Sequence, residues 1–514
     1  MNQKKSRDYE KKMNRNKSIW ECELSKPNFP SITKDMDSEI TVVGAGMSGI
    51  LTAYLLKQFG YRVIVVEANQ VGSGATHNTT AKITSQHNAI YADMIEDFGF
   101  DKAREYAMTN QAAIEQYEML IKKLQIDCDF KKEEAYVYSI NHPEILKREA
   151  EAAKSLGLPA SFTTETALPF KVAGAVCFKN QASFHPLKFL YAMSRELEIY
   201  EHSKVTKVIG DQELEIQVTH EEKGVSIHHI KSKYIVITTH YPIMNFPGFY
   251  FTKMHQERSY VVAAKAPDAL PYGMYISLGE TGYSFRKYGE YLLLGGFSHR
   301  TGQQTDKEHF KPLLTAVKRY YNNPPILCWW ATQDCAPIDG IPYIGTYSAG
   351  NDQIFVATGF NKWGMTTSMV AAMYLSNMIA GKETYEDSIF NPRRFNLQAS
   401  KKLLKTDIKV TTSRLTLQKI YRPKKTLKEI KPGFGGIVIY QGKKVGVYRT
   451  KKGVVYMVST KCPHLGCMLE WNQEERSWDC PCHGSRFDFR GNLINNPAQE
   501  GIAYKKKGEN KAVK

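Results

Sequence analysis

The period of the apolar positions changes several times along the chain, and each change marks an element. Ile40-Thr-Val-Val43 is a short, nearly continuous apolar run, as a strand covered on both faces requires. An apolar-periodic stretch then reads as a helix to about Gly60, and Arg62-Val-Ile-Val-Val-Glu67 as a second buried strand. Residues 89–125 are helical by pattern, and Glu133–Ile140 reads as a strand. Phe184-His185-Pro186 opens another helix, with His185 as N-cap and Pro186 at the first position, where its missing N–H costs nothing. Strands follow near Ile199–Ile209, Glu213–Val218 and Tyr234–His240, and a second group at Tyr260–Ala264, Gly282–Arg286 and Tyr291–Gly295. Ile354–Met365 leads into a helix over Thr366–Ile379. From about Thr426 the pattern turns to short β segments: Gly436–Tyr440, Lys444–Arg449 and Val454–Val458.

Composition adds domain count and charge. The 514 residues, 42% of them hydrophobic, imply a globular chain of two or more domains. A net charge of +17 suits an acidic redox partner or an anionic membrane surface. Nucleic acid is excluded as a partner because no basic helix or aromatic–basic array accompanies the charge. Residues 1–37 read as a polar, lysine-rich extension without the apolar core of a secretory signal, and no run approaches a membrane span. Cys22, Cys128, Cys177, Cys328 and Cys335 are scattered as in a reducing compartment, so the expected location is cytoplasmic, or peripheral at the membrane surface. Residues 401–431 hold eleven Lys or Arg against Asp407 and Glu429, with leucines and isoleucines interspersed, which predicts a helical connection ending at Pro423.

Two stretches carry chemistry. Cys462-Pro-His464-Leu-Gly-Cys467 and Cys480-Pro-Cys482-His483-Gly-Ser485 each offer a thiolate and an imidazole on a short loop. Such Cys₂His₂ ligation suits zinc or a Rieske [2Fe–2S] centre, and a disulfide could tie Cys467 to Cys482. The other stretch is Gly44-Ala-Gly46-Met-Ser-Gly49 between the two buried strands, with Glu67 at the end of the second. That is the dinucleotide fingerprint in its βαβ setting: the glycines admit a pyrophosphate to a helix N-terminus, and Glu67 accepts from a ribose hydroxyl. NAD and FAD both fit it.

Resemblance goes further. Both Cys/His boxes resemble the disulfide-bearing Rieske signature. It implies Cys462 and Cys480 on one iron, His464 and His483 on the other, a Cys467–Cys482 bridge, and a Ser485 hydroxyl donating to a bridging sulfide. Asn496-Pro497-Ala498 resembles the proline loop that covers such a cluster. Phe487 stands where high-potential members often have Tyr, which implies a lower potential. The small-residue loop Val71–Thr84, the turn Asp334–Gly345 and the approach to the last helix, with Gly359, Gly364 and Met365, resemble the D-amino-acid-oxidase-type FAD family. In it the helix N-terminus at Gly364 points at the flavin N1/O2 edge. His240 departs from that family's Ala-Thr-Gly strand end.

Taken whole, the chain resembles bacterial flavoproteins of the YhfW type. The expected architecture is an α/β, Rossmann-like FAD-binding fold of D-amino-acid-oxidase type over 38–400, with nested α+β substrate parts about 88–170 and 245–330. A basic linker (401–425) and a small all-β Rieske domain (426–514) follow. The resemblance implies FAD and a [2Fe–2S] cluster as cofactors and oxidation of an amine or amino acid. Electrons would leave singly through exposed ring edges of His464 and His483 to an external acceptor. Lys82 and Arg286 are the first candidates for facing the substrate, with Arg258, His299 and Lys362 behind them. The alternative is a redox sensor or electron relay with no small-molecule substrate of its own.

Overall fold

The computed structural model describes residues 14–15, 17–21, 24–220, 224–270, 272–279, 282–383, 385–394, 423 and 425–504. The expected basic connection therefore lies outside the described residues except for Pro423 and Lys425.

Two large sheets organise the N-terminal part. The strand Met36–Val43 is central in an 8-stranded sheet, flanked in parallel by Val63–Val66 and by Gly224–Ile237, which in turn pairs in parallel with Asn351–Thr358. Their continuous Val/Ile runs follow from coverage on both faces. Helices Met47–Gln58 and Gly364–Ile379 pack together on one face. The 10-stranded sheet is mostly antiparallel and runs from Ile326–Pro337 through Met254–Lys265, Tyr291–Arg300, Tyr283–Tyr288 and Met274–Ser277 to Lys131–Ser139, Gly174–Ser183 and Lys82–Ile83. One apolar core fills the space between these elements and a second lies beneath the helix Phe310–Tyr320.

Local rules explain where elements start and stop. The single helix expected over 89–125 is two, Tyr91–Phe98 and Phe100–Lys123, because Gly99 sits at φ +85° and breaks the i→i−4 ladder. The stretch expected near Ile199–Ile209 is likewise split into Glu198–Tyr200 and Ser203–Ile209, in different parts of the sheet, by His202 at φ +53°. His185 caps its helix as expected, Nδ1 accepting from the Lys188 N–H at 3.2 Å. Part of the expected polar extension is built into the core: Trp20 is fully buried and donates to the Thr79 carbonyl, and Ile32 is buried too.

The C-terminal part is a 3-stranded antiparallel sheet (Gly435–Tyr440, Lys443–Arg449, Val455–Ser459) beside a 4-stranded one (Glu470–Asn472, Ser477–Asp479, Arg486–Asp488, Leu493–Asn495). The Cys462–Cys467 loop joins the two sheets, the Cys480–Ser485 loop connects two strands of the second, and both face the N-terminal part. Among the described residues no helix is long and apolar enough to cross a membrane.

Candidate functional site

At its two ends the glycine loop is shaped by contacts that no other residue tolerates. Gly44 has φ +106°, and a Cβ there would lie 2.9 Å from the Thr238 carbonyl oxygen; at Gly49 it would lie 1.9 Å from the Gly44 carbonyl oxygen. At Gly46 it would meet only Thr76 Oγ1, at 3.5 Å, so the loop stays open beside that residue. Glu67 Oε2 accepts from the Ala45 N–H at 2.9 Å and Oε1 from the Asn69 N–H at 2.8 Å, so the carboxylate is fixed at the strand end. The Ser48 hydroxyl, in the helix's first turn, is buried with no hydrogen-bond partner. A pyrophosphate on that turn would satisfy it, and the residues present fit a dinucleotide.

The far end of the same site is built by the later segments. Gly359 (φ +73°) would drive a Cβ to 2.7 Å from the Pro337 ring. The helix starting at Gly364 is locked to the early loop: Thr366 Oγ1 accepts from the Thr84 N–H and donates to the Thr84 carbonyl, each at 2.8 Å. Met365 offers its carbonyl to the Tyr117 hydroxyl at 2.7 Å. Thr367 Oγ1, in the first turn, is buried and unpartnered, as a donor waiting for a flavin edge would be. His240 takes φ +67°, the conformation its glycine counterpart would adopt freely, and burial holds its imidazole at about 4, hence neutral.

Lys82 and Arg286 lie in one buried environment. Lys82 Nζ donates to Ser284 Oγ at 2.6 Å and to the Tyr275 carbonyl at 3.0 Å; burial, with Arg286 nearby, lowers its pKa to about 7. Arg286 gives its Nη groups to the Thr80 and Phe184 carbonyls and lies over the Trp20 ring. It also reaches a cleft of about 490 Å³ with Asp129, Glu133, Ser183 and Tyr288, none of which belongs to the glycine loop or the Gly364 helix. Of the remaining candidates, Lys362 pairs with Glu257 at 2.6 Å, and His299 stacks with His309 and Tyr260. Arg258 is buried against Glu475 of the C-terminal part.

The Cys/His loops converge. Cys467 and Cys482 are joined by a disulfide. The sulfurs of Cys467, Cys480 and Cys482 lie within 4.8 Å of one another, but the bridge leaves only Cys480 of these as a possible thiolate. Its partner is Cys462: hydrogen bonding from Cys480, opposed by burial and aided by Ser485 and loop amides, draws the Cys462 thiol down to about 7. Both thiols are buried and free of disulfides. The His464 and His483 rings are 4.9 Å apart. Burial holds His464 at about 4, and its Nδ1 is buried without a partner. Two thiols and two imidazoles in this arrangement fit an iron–sulfur cluster. Ser485 Oγ accepts from the Ala498 N–H at 3.0 Å, which ties the proline loop over the site.

His483 is buried and His464 is only partly exposed, so the expected pair of open ring edges is reduced to one half-covered imidazole. His464 Nε2 donates to Asn245 Oδ1 of the N-terminal part at 2.7 Å, and the Phe251 ring meets both imidazoles edge-on, with centroids 6.1 and 5.8 Å away. Gln256 Nε2 donates to the His483 and Asn496 carbonyls, both at 2.8 Å; Gln333 reaches the Gly484 carbonyl at 2.8 Å, and Arg300 the Cys482 carbonyl at 3.0 Å. None of these residues has a motif; apart from Phe251 each is a polar position on a strand or loop, and only the juxtaposition of domains reveals it.

Comparison with known proteins decides the family. The model of the DAO family, FAD dependent oxidoreductases, matches residues 39–378. The chain belongs to that family. A Rieske [2Fe-2S] domain matches residues 423–505 of this oxidoreductase. It is similar to YhfW of Bacillus subtilis (strain 168), named as a Rieske 2Fe-2S iron-sulfur protein, with 38% identity covering 94% of this chain and 96% of YhfW. The Rieske part alone is similar to the cytochrome b6-f complex iron-sulfur subunit 1 of Nostoc sp., 38% identical over 11% of this chain and 32% of that subunit. Glycine oxidase from Geobacillus kaustophilus shares the fold of the flavin part at TM-score 0.57 and 17% identity, over 70% of this chain and 99% of its own. L-Proline dehydrogenase from P. horikoshii does so at TM-score 0.57 and 19% identity, over 70% and 98%. The resemblance read from the motifs is thereby established: FAD and a [2Fe–2S] cluster are the cofactors of this family pair.

Proposed function

We propose that this oxidoreductase oxidises a C–N bond of a small amine or amino acid and delivers the two electrons one at a time, through the Rieske centre, to an external acceptor. The observation that carries the reading is the hydrogen bond from His464 to Asn245, together with the contact of the flavin part's Phe251 ring with both imidazoles. It holds the metal site against the domain that binds FAD. FAD supplies two-electron hydride acceptance with one-electron release, and the cluster supplies one-electron carriage. Substrate class is supported by relatives named for such compounds, glycine oxidase, L-proline dehydrogenase and gamma-glutamylputrescine oxidoreductase of Escherichia coli, the last 24% identical over 41% of this chain.

In this reading Gly44, Gly46, Gly49 and Glu67 hold the adenosine diphosphate half, and Gly359, Gly364 and Met365 frame the isoalloxazine. Cys462, Cys480, His464 and His483 are the ligands; Asn245, by accepting from Nε2, fixes the His464 tautomer that leaves Nδ1 for the metal. Lys82, whose pKa burial brings down to about 7, accepts in its neutral form a proton from the substrate amine. Arg286, whose Nη groups are committed to carbonyls, positions the loop at Thr80.

Anaerobic addition of a panel of amines and amino acids is the test. One or more should bleach the flavin and then produce the reduced-cluster EPR signal. Bleaching by none of them would favour the relay without a substrate.

A further inference from the structure

The loop that covers the histidines presents an unusual surface. Phe246 is 59% exposed, Phe249 46% and Leu465, beside His464, 44%. Phe246 and Phe249 meet edge-to-face at 5.0 Å, and Phe251 touches both, at 5.8 and 6.0 Å. Phe251 in turn meets His464 and His483. An unbroken run of ring contacts thus joins the metal-site imidazoles to solvent. The outward rings are not slack. Phe249 holds φ +53°, an unfavourable conformation for a bulky side chain, between Gly248 and a fully buried Tyr250 that donates to the Tyr347 carbonyl at 3.1 Å. A Cβ at Gly248 would sit 2.4 Å from the Tyr250 ring, so only glycine fits beside Phe249 in this turn. Strained backbone that keeps aromatic rings in water marks a surface made for contact.

We propose that Phe246, Phe249 and Leu465 form the docking face for the external acceptor, and that this acceptor is an acidic protein carrying a one-electron metal centre. The inference rests on the function proposed above and supplies its missing partner. The apolar centre suits a protein interface, in which aromatics bury while charges ring the rim. Charge selects the partner: the chain carries +17, and Lys461, three positions before His464, is exposed. Such a field speeds encounter with an acidic protein and repels a basic one. Each encounter moves one electron from the reduced site to the carrier's oxidised metal, with no bond made or broken, so two encounters clear the electrons of one substrate molecule. An anionic membrane surface would use the same charge; it is an outcome of the test.

The test uses the holoprotein reduced chemically, so it does not depend on any substrate. Reoxidation of the cluster is followed by stopped flow with an acidic c-type cytochrome, a basic c-type cytochrome and ferricyanide. The acidic cytochrome should react at least about tenfold faster than the basic one at low salt, and this advantage should shrink at high salt. Phe246→Ser with Phe249→Ser should weaken binding of the oxidised acidic cytochrome and slow its reaction by at least about tenfold, with ferricyanide and the cluster's EPR signal unchanged. Equal reaction of the two cytochromes, or an unchanged rate in the double variant, would overturn the proposal. So would double-variant loss of binding to phosphatidylserine vesicles without any change toward the cytochrome, which assigns the face to a membrane. A protein that passes these measurements but whose flavin no amine bleaches keeps the docking face and loses the substrate reading instead.

Discussion

At the scale of single residues, burial and neighbours set the chemistry. Lys82 loses hydration and lies near Arg286, which brings its pKa from the ordinary lysine range to about 7. Its neutral form predominates only above that value, so kcat/KM should rise with pH through about 7. Lys82→Met should abolish this limb and lower kcat/KM by about 10²–10⁴-fold, the usual span for a lost proton acceptor. A pH profile that keeps its limb in the variant assigns the titration elsewhere. Phe487 is fully buried among the cluster cysteines in the strand Arg486–Asp488. It has no hydroxyl to give a ligand sulfur, so the potential should fall low in the Rieske range of about −150 to +300 mV. Phe487→Tyr should raise it, as voltammetry of both forms would record; equal potentials would show that this position does not tune the site.

At the scale of elements, the metal site is two loops pinned by a disulfide and a proline loop. The loops and strands carrying Cys462, Cys480, His464 and His483 belong to a small core of their own. His483→Ala or Cys480→Ala should therefore abolish iron and acid-labile sulfide while FAD stays bound in its separate sheet; retention of iron in both variants would sink the ligand assignment. Cys467→Ser should leave a cluster that assembles but is lost faster on warming, because the bridge no longer holds the loops together. Flavin and cluster absorbance on heating separate the two outcomes. The βαβ unit and the Cys/His boxes were legible because short-range constraints write them: a glycine turn, a buried strand, ligands at fixed spacing. The break at Gly99 was less so, since periodicity on either side continues across a residue whose positive φ alone interrupts it.

At the scale of the whole molecule, a buried charge network and a set of amides hold the Rieske part to the flavin part. Glu475 pairs with Arg258 across the boundary and with Arg486 at 2.9 Å within its own domain. Burial alone would raise its pKa, but the two guanidiniums hold it down to about 2. A depressed carboxyl contributes stability that is complete above its ordinary range near 4.5 and is lost as pH falls toward 2. Glu475→Gln strips the charge from between two buried arginines, at a cost of about 3–5 kcal/mol. It should slow reduction of the cluster by the flavin, with both cofactors still bound; transfer at the wild-type rate would show that docking does not depend on this network.

The division between sequence and tertiary structure follows from the range of the forces involved. The dinucleotide fingerprint, the Cys/His boxes and the disulfide pairing are carried by residues close together in the chain, and the sequence by itself determined them, with the resemblance those motifs support; FAD rather than NAD came from that resemblance alone. Arg258 looked like a candidate for a substrate carboxylate, and His464 and His483 like an open exit, because a sequence records side-chain chemistry without recording its partner. Only the packing of one domain on the other placed Glu475 against Arg258 and Asn245 against His464. Partners more than two hundred positions away leave no periodicity and no spacing in the chain, and which polar group is buried beside which is decided by the fold alone.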